Sequence, residues 1–137
     1  MPAQSIRESI KIASNIKNIS VVSSRIIELL KARDVDKSII FDIRLSVEET
    51  VINAIEHGNK NNEKKKVTVS FLIDEEKFDA EIEDEGEGFE QVELQDPTIG
   101  KNMLRSHGRG VYLVHRLMDT VEYNKKGNKV KLVKRLR

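Results

Sequence analysis

The sequence predicts an α/β two-layer sandwich, in which a mixed, largely antiparallel sheet of about five strands carries helices on one face. Three observations favour this fold. Apolar and polar residues alternate in five short segments, as they do in half-buried strands. Two of these segments are separated only by residues 74–76 and predict an antiparallel hairpin. Longer segments repeat their apolar residues every three or four positions, as amphipathic helices do.

Length and composition indicate one domain with one hydrophobic core. The chain has 137 residues, of which 38% are hydrophobic and 34% charged, a polar but not disordered composition. The net charge of +1 gives no electrostatic reason to expect direct binding to nucleic acid or to an anionic membrane. No apolar run approaches the ~20 residues of a membrane span, and no secretory signal is evident. Cysteine is absent, which excludes thiolate chemistry and fits a cytoplasmic location.

The first third of the chain predicts one strand and two helices. Residues 6–13 place their isoleucines on one face, as a strand with one buried face does. Asn18 or Ser20 can cap a helix that ends near Ala32, and Asp36 can cap a second, longer helix. The second helix has an apolar stripe formed by Ile40, Ile43, Val47, Val51 and Ile55.

The second helix also carries a row of polar side chains within Leu45–Asn59. Glu49 and Asn53 are four residues apart, His57 continues the row by four more, and Gly58 is a natural helix stop. A carboxylate can take a proton or orient a nucleophile, and an asparagine oxygen can bind a hard cation such as Mg²⁺. Because such rows are also common on solvated helix faces, a functional interpretation depends on the rest of the chain.

The predicted hairpin ends in a carboxylate. Its strands are residues 67–73 and 78–82, and the alternation of the second continues to Asp84. The carboxylate therefore reaches the core side of the sheet, where burial without a partner would be costly. Asp84 either caps a nearby backbone group or binds a ligand that offers donors. Gly86 and Gly88 follow and allow the backbone to approach another group closely.

The segment 90–107 has no clear periodicity and is long enough to form a lid. It ends in SHGRG, so that Gly108 and Gly110 precede a short helix. Free N–H groups at such a helix start form an anion site, and Arg105 and Arg109 could bind phosphate oxygens there. The pattern matches neither a P-loop nor a GxGxxG dinucleotide motif, so a nucleotide site here must be of another kind.

The end of the chain predicts two further strands. Residues 120–123 form the first, residues 124–128 form a turn that contains Gly127, and residues 130–136 form the second. The chain thus contains five predicted strands and three predicted helices.

Three motifs stand in a fixed order along the chain: EETVINAIEHGN, DEGEGF and GRGVYLV. Together they resemble the Bergerat-fold ATP-binding family of histidine kinases, gyrase B, Hsp90 and MutL. The segments GRGVYLVHRLMDTVEY and VKLVKRL are similar to those of the small stand-alone anti-sigma factor serine/threonine kinases of bacterial partner switching. The resemblance covers nearly the whole chain and implies a single ATP-binding kinase domain over residues 1–137, with an ATP lid at about residues 90–107.

This resemblance implies roles for the motif residues. Glu49 would be the general base, and Asn53 would bind the Mg²⁺ that bridges to the triphosphate of ATP. Asp84 would accept a hydrogen bond from the adenine amino group. The other cofactor-binding residues would approach or wrap the nucleotide: His57, Gly86, Gly88, Arg105, Ser106, Gly108, Arg109, Gly110 and Val111.

Two departures from the family pattern stand out. Many relatives carry a Thr near the start of the last strand that supports the adenine-binding Asp, whereas residues 128–131 here contain no hydroxyl. Adenine recognition is therefore expected to depend more on Asp84 and water. An obvious phospho-accepting His with a dimerisation helix pair is also absent upstream, which argues against a complete sensor histidine kinase.

We therefore expect a cytoplasmic, Mg-ATP-dependent protein serine/threonine kinase that resembles an anti-sigma factor. By that likeness it would phosphorylate a STAS-type anti-sigma factor antagonist, hold a sigma factor inactive and form a homodimer. One alternative is an ATP-gated binding module without kinase activity, although a pure binder would not need Glu49. The other is a detached catalytic domain that serves a separate histidine-bearing partner, and acid lability of the phosphorylated product would reveal it.

Overall fold

The computed structural model describes residues 4–87 and 106–137, and within the second range it describes side chains from Gly110 onward. Gly88, Arg105 and most of the predicted lid at residues 90–107 therefore lie outside the described residues.

A five-stranded sheet forms one layer of the fold, with strand order β1-β2-β3-β5-β4. Every pair of neighbouring strands is antiparallel, which confirms the predicted antiparallel character, and no parallel pair occurs among these five strands. The strand bounds are Ile6–Ala13 (β1), Lys66–Ile73 (β2), Lys77–Glu83 (β3), Thr120–Tyr123 (β4) and Lys129–Arg135 (β5).

Within the described residues, three helices form the second layer. They span Ile19–Ala32 (α1), Lys37–Asn53 (α2) and Ser106–Leu117 (α3). The core lies between the layers, where the alternate residues of β2 and β3 meet the predicted stripe of α2. All members of that stripe are at least nine-tenths buried: Ile40, Ile43, Val47, Val51 and Ile55.

The second helix ends differently from the prediction. After Asn53 the chain continues as a single π-helical turn, Ala54–Gly58. A π-helical turn closes hydrogen bonds between residues five apart, so it removes the four-residue spacing that was expected to stack His57 on Asn53. The side chain of His57 is exposed. Such turns are frequent at functional sites.

The third helix also begins earlier than predicted, at Ser106 rather than after the glycines. Gly108 and Gly110 therefore lie within its first turns. Each glycine costs a helix about 1 kcal/mol relative to alanine. Packing outweighs this cost, because Val114 and Met118 are buried in the core.

Candidate functional site

The buried carboxylate of Asp84 forms one end of the candidate site. Its side chain is only 5% exposed, and its Oδ1 accepts a hydrogen bond from the backbone N–H of Gly86 at 2.8 Å. Burial raises the pKa of Asp84 above its ordinary value, and the bond from Gly86 offsets only part of this effect. No donor within the described part of the chain contacts Oδ2. The carboxylate therefore caps a backbone group, as one of the two predictions stated, and still has an oxygen for a ligand.

Two glycines make this end of the site compact. A Cβ atom at Gly58 would overlap the carboxylate of Asp84, and one at Gly86 would overlap the carbonyl group of Gly58. The end of the π-helical turn therefore lies directly against the acid. The sequence predicted Gly58 only as a helix stop, so its contact with Asp84 was missed.

The other end of the site is formed by Glu49 and Asn53, which are half-buried on α2. The start of α3 lies against them. A Cβ atom at Gly110 would be 2.8 Å from Oε2 of Glu49 and 3.8 Å from Nδ2 of Asn53. The structure thus brings Gly110 against a carboxylate and a carboxamide that lie about 60 residues earlier in the sequence.

The environment of Glu49 favours its neutral form more than water does. Burial raises the pKa of this carboxyl, and the charges of Glu48 and then Glu56 raise it further. A raised pKa brings a carboxylate closer to the working range of a general base at neutral pH. The sequence left the protonation of Glu49 open, because it could not show how deeply the side chain is buried.

A narrow cleft joins the two ends of the site. Asn53, Asp84 and Val111 all line it, so the structure brings these three predicted residues together. The sequence had not identified the other lining residues as part of a site, although Thr50, three residues before Asn53, follows from the helical phase of that residue. These are Thr50, Ala54, Ile82, Val114, Tyr123, Gly127 and Val130.

Tyr123 is the most unexpected of the lining residues. Burial raises its pKa to about 12, and its ring lies 6.1 Å from that of His115. No sequence signal connects Tyr123 with Asp84. Tyr123 is on β4 and Asp84 follows β3, and only the order in which the strands pair in the sheet brings both residues to the same cleft.

Asn128 supports Asp84 at the position where relatives were expected to use a threonine. The N–H of Asp84 donates to the carbonyl oxygen of Asn128 at 2.9 Å, and Nδ2 of Asn128 donates to the carbonyl oxygen of Asp84 at 3.2 Å. Oδ1 of Asn128 accepts a hydrogen bond from Nδ2 of Asn124 at 2.8 Å. A carboxamide thus supports the backbone of the acid without a hydroxyl.

The remaining predicted residues are less well defined by the structure. Ser106, Gly108 and Arg109 lie in the first turns of α3, but their side chains are outside the described set. The first four N–H groups of a helix have no partner within the helix, so those of residues 106–109 can face an anion. Gly88 and Arg105 lie outside the described residues, and the side chain of His57 is exposed after the π-helical turn.

The donor chemistry fits a magnesium ion that is shared with a ligand. Within residues 4–87 and 106–137, no three His, Asp or Glu side chains converge into a metal cluster. Mg²⁺ typically takes one or two protein oxygens and completes its shell with phosphate oxygens and water. The carboxamide oxygen of Asn53 can serve as such a ligand.

Membrane insertion through a helix finds no support in the described part of the chain, where no helix combines the necessary length with the necessary apolar character.

The described residues form a two-layer α/β domain with a narrow cleft between the sheet and the helices. A family model described as a histidine kinase-like ATPase domain matches residues 12–134. This chain therefore belongs to the histidine kinase-like ATPase domain family, which confirms the resemblance inferred from the three motifs.

Curated relatives carry the names of a serine-protein kinase and of an anti-sigma factor. The chain is 31% identical over 87 residues to a protein named serine-protein kinase RsbW from Listeria monocytogenes, covering 59% of this chain and 55% of that one. It is 34% identical over 95 residues to a protein named anti-sigma F factor from Clostridium perfringens, covering 67% of this chain and 68% of that one. The matches thus span about half to two thirds of the relatives' length.

A solved structure confirms the fold. The crystal structure of the RsbU and RsbW domains of Rv1364c from Mycobacterium tuberculosis superposes with a TM-score of 0.65 at 19% identity. The match covers 96% of this chain and 32% of the other.

Proposed function

We propose that this domain binds Mg-ATP and transfers its γ-phosphoryl group to a serine or threonine hydroxyl of a protein. One observation carries the proposal. A single cleft joins a buried carboxylate, Asp84, to the carboxamide of Asn53, and a half-buried carboxylate, Glu49, lies beside that carboxamide at the start of α3. A base-recognising acid and a phosphate-facing acid therefore lie at opposite ends of one site.

The Asp84 end is suited to adenine. Oδ2 of Asp84, which receives no hydrogen bond from the described residues, can accept one from the exocyclic amino group of adenine. Guanine presents a carbonyl oxygen at the corresponding ring position and would be repelled. In the free chain the cleft encloses only about 20 Å³, so its apolar walls, which include Ile82, Val114 and Val130, would have to move apart to contact the faces of a base.

The Glu49 end is suited to phosphoryl transfer, which depends mainly on positioning and on charge neutralisation. Glu49 would accept or orient the proton of the attacking hydroxyl, and its raised pKa supports this role. Asn53 would hold Mg²⁺, which supplies neutralisation of the phosphate charge when it is bound. The N–H groups at the start of α3 would donate to phosphate oxygens.

The proposed partners rest on a relative's name and on the family resemblance. Since one relative is named anti-sigma F factor, we expect a sigma factor as a partner of this chain. The resemblance to the kinases of partner switching leads us to expect a STAS-type antagonist as the second partner, in the cytoplasm. Against a pure ATP-gated binder, Glu49 is both present and in contact range of the start of α3.

A homodimer is supported by the face of the sheet that none of the described helices covers. On this face β1 presents Arg7 and Lys11, β2 presents mostly uncharged residues, and β3 presents Asp79, Glu81 and Glu83. A twofold axis over β2 would place the basic row of each copy on the acidic row of the other. Lysines of β5 already contact two of the acids, so this pairing should weaken with salt.

Calorimetric titration with ATP, with and without Mg²⁺, tests the nucleotide site. The wild-type chain should bind ATP more tightly than GTP and more tightly with Mg²⁺. Asp84→Asn should remove the preference for ATP, whereas Glu83→Gln, which removes the neighbouring exposed charge, should not. An equal loss of ATP and GTP binding in Asp84→Asn would contradict an adenine contact.

The metal assignment has its own test. Asn53→Ala should abolish the Mg²⁺ dependence of ATP binding, because the only proposed protein ligand is removed. Normal Mg-ATP affinity and turnover in this variant would refute the assignment.

Transfer from γ-labelled ATP to a STAS-type protein tests the kinase activity. The product should survive acid, as phosphoserine and phosphothreonine do. An acid-labile product would instead indicate a histidine-bearing partner. ATP binding without any transfer would favour the ATP-gated module.

A further inference from the structure

Asn59 is a buried polar side chain that the proposed chemistry does not use. It follows the π-helical turn directly and lies outside any helix or strand, yet it is only 1% exposed. A buried carboxamide is costly unless its donors and acceptor are paired. The hydrogen bonds of Asn59 therefore indicate what the residue holds in place.

The carboxamide of Asn59 joins three separate segments. Its Nδ2 donates to Oγ of Ser14 at 2.8 Å, just after β1, and to the carbonyl oxygen of Lys66 at 3.0 Å, where β2 begins. Its Oδ1 accepts a hydrogen bond from the N–H of Glu85 at 2.8 Å, just after β3. Both donors and the acceptor are thus used, each toward a different part of the sheet edge.

The bond to Glu85 acts on the turn that shapes the carboxylate of Asp84. Glu85 lies between Asp84 and Gly86, and the N–H of Gly86 donates to Oδ1 of that carboxylate at 2.8 Å. The side chain of Glu85 also accepts a hydrogen bond from the N–H of Lys66, which ties the same turn to β2 a second time. The residue before Asn59, Gly58, lies against the carboxylate itself.

We propose that Asn59 is a positioning residue for adenine selection: by holding the N–H of Glu85, it fixes the turn that aims the carboxylate of Asp84 into the cleft. This inference rests on the proposed function, because it assigns Asn59 to the base-recognition step of that site. It also explains why a buried carboxamide, rather than an apolar residue, follows the helix.

Ser14 offers a matched comparison for a merely structural role. Its hydroxyl accepts from Asn59 and donates to the carbonyl oxygen of Lys65 at 2.7 Å, and the side chain is 2% exposed. Ser14→Ala therefore removes buried hydrogen bonds of the same network but leaves the bond to Glu85 intact. If Asn59 only stabilises the fold, Asn59→Ala and Ser14→Ala should lower stability and leave nucleotide selectivity alone.

Amide hydrogen exchange without nucleotide tests the positioning step. The amide of Glu85 should be protected in the wild-type chain, although Glu85 itself is exposed. Asn59→Ala should speed exchange at Glu85 and Gly86 by about tenfold. Ser14→Ala should not. An unprotected Glu85 amide in the wild-type chain would overturn the proposal even if Asn59→Ala fails to fold.

The ratio of ATP to GTP affinity tests the consequence for selection. It should fall by about tenfold in Asn59→Ala and stay at the wild-type value in Ser14→Ala. If Asp84→Asn abolishes the preference but Asn59→Ala retains it, the inference about Asn59 fails while the proposed function stands. If the wild-type chain shows no preference for ATP, the proposed adenine contact fails and the inference falls with it.

Discussion

The two ends of the cleft differ in what holds their functional groups. At the Asp84 end, backbone limits the geometry: Gly58 and Gly86 contact the acid closely, and the turn and strand end are hydrogen-bonded to Asn59 and Asn128. At the other end, Glu49 and Asn53 are half-buried side chains on one helix and face the start of another.

This difference separates two kinds of consequence. Changes near Asp84 should alter stability and base affinity together, because the same contacts determine both. Changes near Glu49 should alter the rate of transfer with little effect on folding, since flexible side chains can move when a neighbour changes. Each substitution below tests whether the two ends can be separated in this way.

The largest effect is expected at Glu49. Glu49→Gln should lower the rate of phosphoryl transfer by about 10²- to 10⁴-fold, because a general base is removed, while ATP affinity stays near the wild-type value. Single-turnover transfer and calorimetry on the same preparation measure the two quantities. Glu28→Gln, an exposed change on α1, is the control. Unchanged transfer in Glu49→Gln would exclude the base role.

The pH dependence of transfer sharpens the assignment. Since the pKa of Glu49 is raised, transfer should fall as the pH drops through that raised value, where the carboxylate takes up a proton. Glu48→Gln removes a nearby charge that contributes to the increase, so the falling limb should move to lower pH. If the pH profile of transfer were the same in Glu48→Gln as in the wild-type chain, a group other than Glu49 would determine the profile.

Two glycine substitutions compare the ends directly. Gly86→Ala should destabilise the fold by about 1–3 kcal/mol, because its Cβ would meet the backbone of Gly58. Gly110→Ala should not destabilise it, because its Cβ meets the movable end of Glu49 and alanine favours a helix. Transfer should nevertheless fall in Gly110→Ala. Thermal unfolding of both variants measures the two changes in stability. Equal losses of stability would contradict the expected difference between the two ends of the cleft.

The smallest effect concerns Asp84 without nucleotide. Its folded-state pKa is raised, so its contribution to stability is complete below the unfolded pKa and is lost as the pH rises through the folded value. At neutral pH, Asp84→Asn should therefore raise the melting temperature of the free chain by a few degrees at most (~1 kcal/mol). This increase in melting temperature should vanish at acidic pH, because Asp84 is then protonated and uncharged in the wild-type chain. A lower melting temperature at neutral pH would show that the charged form stabilises the fold.

The sequence by itself determined which segments form helices and strands, and it identified most of the residues at the two ends of the cleft. Alternation predicted the hairpin and placed Asp84 on the core side, and helical spacing placed Glu49 near Asn53. These predictions succeeded because they depend on residues close in sequence, where the period of a strand or helix fixes the direction of a side chain. The order of the three motifs was enough to indicate the family.

Only the tertiary structure decided how distant segments meet. Strand order brings Tyr123 and Val130 into the cleft with Asp84, and packing starts α3 at Ser106 despite two glycines. The π-helical turn moves His57 off the expected row, and Asn59 becomes buried only because three strand ends converge on it. Contacts between distant segments depend on how the sheet and helices pack, which local periodicity does not encode.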